Sequence, residues 1–395
     1  MAQALPDLPP LRLAGRNLLP IVQGGMGVGI SGSRLAGTVA SLGAVGTLSA
    51  IDLRRHYPDL MARATGLGVG SDAKDAINAA NLEALDREIR RARQIAAGHG
   101  LLAVNVMRAV TEYAAYVRQA CASGIDAVVV GAGLPLDLPE LTADHPGVAL
   151  IPILSDARGI SLILKKWERK GRLPDAIVIE HPRHAGGHLG AARVADLNDP
   201  RFDFEVVIPE ARALLRGLGA EDRVPLIAAG GIDSPTRVRE LLAMGAGAVQ
   251  LGTAFAVTEE CDADPAFKRV LASAKPQDLV EFTSVAGLPA RAVRTPWLET
   301  YLKLEGRMQA KAAERNRPKP RCTMVFDCLA QCGLRDGIAK FGQFCIDHHL
   351  AAAMKGDLKK GLFFRGAGRL PFGDSIRPVR DLIAFLLGDT SLQAI

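Results

Sequence analysis

The sequence of 395 residues predicts an α/β fold: a (β/α)8 barrel of the TIM type over residues 1–300, followed by a cysteine-rich, mainly helical C-terminal extension over 301–395. Eight short apolar segments alternate with segments of helical periodicity as far as residue 275. Several of them, such as AVVVG and PLIAAG, are apolar on both faces, which is typical of parallel strands covered by helices. Beyond Thr295 the alternation stops, and four of the six cysteines follow in a basic segment.

The predicted strands are 19–24, 44–49, 101–107, 127–131, 148–154, 176–180, 225–229 and 248–252. The clearest helices are 73–97, 112–123, 160–170 and 235–244, and the extension adds a charged helix at 302–316 and a final helix at 375–387. A doubly wound sheet is the alternative. Its dinucleotide fingerprint would lie at 24–32, where the next strand offers only Asp52 as the acidic residue that such a site requires.

The composition excludes several classes of protein. Six cysteines are too few for a disulfide-built scaffold of this length, so the core must be hydrophobic. No apolar stretch approaches 18 residues and no signal-peptide pattern is visible, which predicts a cytoplasmic protein with no membrane association. The net charge is +6, and it comes from the extension. Residues 303–395 carry 16 basic and 9 acidic side chains, a net of +7, which leaves −1 for residues 1–302.

Polar or glycine-rich segments follow most of the predicted strands, at the end of a barrel where active sites form. Gly25 and Met26 follow the first strand, Asn105 lies in the third, and Ser155 and Asp156 follow the fifth. Two further pairs, Gly230 with Gly231 and Gly252 with Thr253, leave the last two strands. These last positions predict a phosphate site built from backbone N–H groups. The alternative is that the glycines serve only tight turns.

The segment HPRHAGGH after the sixth strand holds three histidines in eight residues. Histidine exchanges protons near neutral pH, which suits a general base. A zinc site is the competing idea, but neither the spacing nor a nearby cysteine supports it. A surface loop with incidental histidines is the third alternative. We favour His188, directly after Gly187, as the catalytic residue.

The extension contains a second cluster, Cys322, Cys328, Cys332 and Cys345, with the spacing C-x5-C-x3-C-x12-C. In a reducing compartment such clustering favours a metal over disulfides. Four thiolates fit either a structural zinc or an iron–sulfur cluster, and the absence of C-x2-C pairs favours 4Fe-4S over zinc. Free cysteines are the remaining alternative.

Four ordered motifs, QGGMGVGIS, HAGGHLG, PLIAAGGID and AVQLGTAFAVTEE, resemble the FMN-dependent nitronate monooxygenase family, also called 2-nitropropane dioxygenase, which includes FMN-type enoyl-acyl-carrier-protein reductases. The resemblance covers about residues 15–300 and implies a barrel that holds FMN non-covalently. It implies these roles: Gly25 and Met26 approach the flavin ring, Asn105 bonds it, Gly187 belongs to the cofactor site, Gly230, Gly231, Gly252 and Thr253 hold the phosphate, and His188 is the catalytic histidine.

The cysteines followed by GLFFRGAG are similar to a branch of that family that carries FMN and a 4Fe-4S cluster. That branch dehydrogenates a saturated acyl-carrier-protein thioester at C2–C3 and isomerises the double bond to cis-3. The alternatives are oxidation of alkyl nitronates with O2 as electron acceptor, and NAD(P)H-dependent enoyl or quinone reduction. A non-enzymatic iron–sulfur protein or a nucleic-acid-binding protein would also use a basic extension, but no aromatic residues interleave with its charges.

The implied partner of that branch is acyl carrier protein, which is acidic. Residues 303–321 hold seven basic and two acidic side chains, and such a patch would steer an acidic partner with a rate that falls as salt rises. The sequence does not predict a nucleic-acid partner, and it is compatible with a homodimer.

Overall fold

The computed structural model describes residues 8–63, 65–66, 71–314 and 328–388. In these residues the strands are β1 (Leu11–Leu13), β2 (Arg16–Leu18), β3 (Ile21–Gln23), β4 (Val45–Ser49), β5 (Leu101–Met107), β6 (Ala127–Gly131), β7 (Ala149–Leu154), β8 (Ile177–Glu180), β9 (Gly187–His188), β10 (Leu226–Ala229), β11 (Ala248–Leu251), β12 (Leu279–Thr283) and β13 (Pro289–Val293).

The α-helices are α1 (Ser33–Ser41), α2 (Pro58–Arg63), α3 (Ser71–Ala96), α4 (Tyr113–Ala122), α5 (Leu138–Leu141), α6 (Ala157–Glu168), α7 (Phe204–Gly217), α8 (Pro235–Met244), α9 (Thr253–Ala256), α10 (Pro265–Ser273), α11 (Pro296–Ala313), α12 (Gly333–Asp336), α13 (Ile346–Met354) and α14 (Val379–Leu386). Among the described residues, no helix is both long and apolar enough to cross a membrane.

The predicted barrel is confirmed. Strands β3 to β8, β10 and β11 form a closed parallel barrel in that order, and Ile21 pairs with Val249 where the barrel closes. All eight predicted strands are present, because each is buried and therefore reads as an apolar run. The helices are arranged between them, as the alternation predicts.

The interior of the barrel is filled at the N-terminal ends of its strands. Strands β1 and β2 form a hairpin that the sequence analysis did not predict, and the side chains of Leu11, Leu13 and Leu18 pack with inward-facing residues such as Val45 and Val129. Apolar side chains therefore occupy the interior at the N-terminal end of the strands. The open space of the barrel lies at the opposite end, where the strands finish.

Caps explain where the predicted helix boundaries were wrong. Helix α6 begins at Ala157, because the carboxylate of Asp156 accepts the Gly159 N–H at 2.8 Å. Helix α11 begins at Pro296, because the Thr295 hydroxyl accepts the Leu298 N–H at 3.3 Å. The last helix begins only at Val379, after Pro378. Since α11 crosses residue 300, the division into domains at that point stays a prediction.

The extension lies over the C-terminal end of the barrel. The β12–β13 hairpin pairs with β9, so that Ala290 is opposite His188 and Arg291 is opposite Gly187. Residues of the extension pack on this hairpin around an apolar cluster that includes Phe344. An ion pair of 2.6 Å between Arg55, after β4, and Asp347, in α13, also joins the two parts.

Two glycines provide a matched test of the barrel packing. A Cβ at Gly46 would lie 1.9 Å from the carbonyl oxygen of Ala36, which is helix backbone, whereas a Cβ at the exposed Gly217 would have no atom within 4 Å. We expect Gly46→Ala to destabilise the protein by about 3 kcal/mol or more, because α1 must move away from β4. We expect Gly217→Ala to change stability by at most about 1 kcal/mol, in the stabilising direction.

Thermal or urea unfolding of the two variants measures the difference. Equal stability of Gly46→Ala and Gly217→Ala would contradict the close packing of α1 on β4.

Candidate active site

The C-terminal ends of the barrel strands open into a cavity of about 300 Å³. The loops after β3, β8, β10 and β11 form its walls, and the extension covers it. All the residues predicted to be catalytic or cofactor-binding line this cavity: Gly25, Met26, Asn105, Gly187, His188, Gly230, Gly231, Gly252 and Thr253. The structure brings these residues together, while the role of each stays a prediction. Asp156, by contrast, caps α6.

His188 is fixed by a hydrogen bond that the sequence analysis missed. Its Nε2 lies 3.0 Å from the hydroxyl oxygen of Ser284, which follows β12 and is fully buried. The same oxygen accepts the N–H of Ala286 at 3.3 Å. Within the described residues Nδ1 has no hydrogen bond, so it is the nitrogen left to exchange a proton with a ligand. No local sequence signal links residues 96 positions apart.

Burial sets the charge of His188. Removal from water disfavours the imidazolium and lowers the pKa of His188 to about 4. The ring is therefore neutral at pH 7 and can accept a proton. Its other neighbour is Phe364 of the extension, whose ring centre lies 5.8 Å away.

The other two histidines of the segment have structural contacts. His181 is buried, with Nε2 3.2 Å from Asp203 and its ring edge-on to Phe204. The ring of His184 lies against Gly231, where a Cβ would be 2.9 Å from His184 Cγ. Of the three, His188 combines a cavity position with a fixed ring nitrogen.

A buried guanidinium holds the loop that carries these histidines. Arg291 of β13 donates hydrogen bonds to the carbonyl oxygens of Pro182, at 3.4 Å, and of Ala185. It also pairs with Glu281 at 2.6 Å. Arg291 therefore satisfies two loop carbonyls and ties residues 182–185 to the hairpin.

Glu180, at the end of β8, is a second group that could transfer a proton. Its side chain lines the cavity and has no hydrogen bond or ion pair to any described residue. Burial raises the pKa of Glu180 from its ordinary value of 4.5 to about 7. The carboxyl is half-buried, and its open side faces the cavity. A molecule bound there would supply the hydrogen bond that the described residues do not.

Backbone conformation and close packing also favour glycine at these positions, apart from any contact with a ligand. Gly230 and Gly231 have φ of +105° and +71°, a region that favours glycine, so tight turns alone would select them. A Cβ at Gly25 would lie 2.3 Å from Cβ of Asn105. Glycine there lets the loop after β3 approach β5 and leaves the cavity open between them.

The predicted metal site finds no support. Cys322 lies outside the described residues, and within the described ranges no three His, Cys, Asp or Glu side chains are arranged to hold a metal ion. Cys332 is buried in the apolar cluster around Phe344, and its sulfur accepts the Arg335 N–H at 3.4 Å at the start of α12. Cys328 lines the cavity. Clustering in the sequence therefore does not establish either a 4Fe-4S or a zinc site here.

Comparison with known proteins gives one family. A family model described as nitronate monooxygenase matches residues 16–389. A nitronate monooxygenase of Paraburkholderia phytofirmans is 35% identical over 119 residues, 30% of each chain. A probable nitronate monooxygenase of Bacillus subtilis is 32% identical over 129 residues, 33% of this chain and 35% of that protein. The chain thus matches about a third of the length of these relatives.

Two solved structures share the fold. FabK from Thermotoga maritima has a TM-score of 0.62 at 22% identity, covering 94% of this chain and 92% of its own. Nitroalkane oxidase from Streptomyces ansochromogenes has a TM-score of 0.61 at 19% identity, covering 98% and 96%. At these identities the likeness concerns the fold alone.

The raised pKa of Glu180 predicts a pH-dependent cost to stability. Between pH 4.5, the ordinary pKa, and about 7 the unfolded chain ionises Glu180 while the folded protein keeps the carboxyl protonated, so the free energy of unfolding falls as the pH rises and levels off above about 7. We expect Glu180→Gln, measured without bound ligand, to be more stable than the parent by about 2 to 3 kcal/mol at pH 8. At pH 4 we expect the two to be equal, because the carboxyl is then neutral in both states.

Thermal unfolding across pH 4 to 8 measures the difference. Glu210→Gln, a change at an exposed residue of α7, is the matched control. A stability difference between Glu180→Gln and the parent that does not change with pH would refute the raised pKa of Glu180.

Proposed function

The chain belongs to the nitronate monooxygenase family of oxidoreductases, and from this we propose that it is an FMN-dependent enzyme that acts on acyl groups carried by acyl carrier protein. The proposed reaction is 2,3-dehydrogenation of the acyl thioester, followed by movement of the double bond. The observation that carries this proposal is the apolar part of the cavity. The extension adds Ile346, Leu350, Leu362 and Phe364 to its lining, which suits an alkyl chain better than a small anion.

The chain's residues fit FMN. Gly230, Gly231, Gly252 and Thr253 would hold the phosphate at the ends of β10 and β11, and Gly25, Met26, Asn105 and Gly187 would surround the ring. The open space beside Gly25 suits a flat ring, since a Cβ there would collide with Asn105. When bound, FMN supplies a two-electron acceptor that can take a hydride from C3 of the acyl group.

His188 is the proposed base. Its neutral ring would take the proton at C2, next to the thioester carbonyl, through Nδ1, while Ser284 holds Nε2. Loss of this proton and of a hydride from C3 leaves the 2,3 double bond. Moving that bond requires removal of a proton from C4 and delivery of one to C2. Glu180, whose pKa of about 7 lets it either donate or accept near neutral pH, would assist this second step.

The electron acceptor that restores the oxidised flavin is proposed to be O2. Acyl carrier protein is proposed to dock through the basic charge of the extension, although residues 315–321 of that patch lie outside the described residues.

Oxidation of alkyl nitronates with O2 is the second candidate, because the named relatives are nitronate monooxygenases. It would use the same His188 and flavin but would leave the apolar wall without a purpose. NAD(P)H-dependent enoyl or quinone reduction is the third.

Substrate profiling distinguishes the candidates. We expect the purified protein to show flavin absorption and to release FMN on denaturation. With saturated acyl-acyl carrier protein and O2, mass spectrometry should show a product lighter by two hydrogens. Turnover of an alkyl nitronate without conversion of the acyl thioester would refute the proposed substrate, and oxidation of NAD(P)H with an enoyl thioester would favour the reductase.

The proposed role of His188 as the base predicts a loss of turnover when its imidazole is removed. We expect His188→Ala to reduce turnover by about 10² to 10⁴ with FMN still bound, because the general base is lost and the phosphate end is intact. His99→Ala is the matched control, since His99 is exposed and lies before β5, at the opposite end of the barrel. Steady-state kinetics with the flavin content of each variant provide the measurement. Near-parental turnover by His188→Ala would reject this base.

A further inference from the structure

One segment of the extension, residues 365–369, reaches the phosphate end of the cavity; we call it the strap. The N–H of Gly366 donates to the hydroxyl oxygen of Thr253 at 3.0 Å, and the N–H of Ala367 donates to the carbonyl oxygen of His184 at 3.1 Å. A Cβ at Gly368 would lie 3.7 Å from Cα of Gly231. The strap therefore contacts the loops after β8, β10 and β11.

The strap is held firmly in this position. The guanidinium of Arg365 is buried and donates to the carbonyl oxygens of Leu271, at 2.9 Å, and of Gly366, at 2.9 Å. A Cβ at Gly186 would lie 2.4 Å from the nitrogen of Gly366. Glycine at position 186 thus permits the strap to pack backbone against backbone on the histidine loop.

Arg369, at the end of the strap, is the one lysine or arginine among the described residues that line the cavity. It is exposed, and it makes no hydrogen bond or ion pair with any described residue. Two other cations near this end are already paired, Arg183 with Asp203 at 3.1 Å and Arg237 with Glu240 at 3.0 Å. Arg369 is thus a cation at the cavity wall with no anionic partner among the described residues.

We propose that the strap completes the phosphate end of the flavin site and that the Arg369 guanidinium binds the FMN phosphate. Gly230 and Gly231 after β10, and Gly252 and Thr253 after β11, offer backbone N–H groups but no positive side chain. A phosphate dianion gains charge-assisted, bidentate hydrogen bonds from a guanidinium. The inference rests on the proposed function only in that the ligand is FMN; it does not depend on the acyl substrate.

The test compares FMN with riboflavin, which has the same ring and ribityl chain but no phosphate. Flavin-free protein is titrated with each ligand by fluorescence quenching, for the parent, Arg369→Gln and the control Arg380→Gln. Arg380 lies in α14 of the same extension, with its side chain 76% exposed. We expect Arg369→Gln to weaken FMN binding about tenfold or more and to leave riboflavin binding unchanged. FMN binding by Arg369→Gln should also depend less on salt.

The failures are separable. A parent protein that binds neither flavin refutes the proposed function. A parent that binds FMN with the same Kd as Arg369→Gln refutes the role of Arg369. Equal weakening of FMN and riboflavin in Arg369→Gln also refutes it, because the effect would then lie in the shape of the cavity. Thermal unfolding of each variant establishes that it is folded.

Discussion

The buried guanidinium of Arg291 is the interaction on which the geometry of the cavity depends. It joins the carbonyl groups of the histidine loop to the β12–β13 hairpin, and the two-residue pairing of β9 with β13 follows from that attachment. The hairpin then brings Ser284 to His188. The extension supports the hairpin in turn, since the N–H of Gly342 donates to the carbonyl oxygen of Ser284 at 3.0 Å. The ring of His188 is therefore positioned by three separate parts of the chain.

Two of the titratable side chains that line the cavity, His188 and Glu180, have pKa values shifted toward the neutral form. Burial lowers the pKa of the imidazole and raises the pKa of the carboxyl, and neither group has a charged partner among the described residues. Each group can therefore gain or lose a proton without first breaking an ion pair with another described side chain.

The sequence was a good guide to the barrel and a poor guide to what covers it. Strands buried on both faces produce apolar runs whose position does not depend on distant residues. A two-residue strand such as β9 exists only because β13 lies beside it. No local sequence pattern predicts that pairing. Glu180 is the last residue of a predicted strand, directly before the histidine segment, but its lack of a partner among the described residues is a property of the folded chain. Arg369 lay in a glycine-rich run with no sign of which cavity it would reach. The cysteine spacing alone does not establish a metal site, and Cys332 packs in an apolar cluster.

The strap packs on loops that follow the barrel strands, and it lies near the C-terminal end of the described chain. Residues 365–369 are nearly the last of the described chain to be synthesised, so the barrel can form with its upper end still uncovered. A molecule seated between β10 and β11 would then be enclosed when the extension docks. Its residence time would be governed by how often the strap lifts, through bonds such as that between Gly366 and Thr253, rather than by its own contacts alone. Retention of a ligand would then depend on the docking of residues 365–369 as well as on the ligand's own contacts.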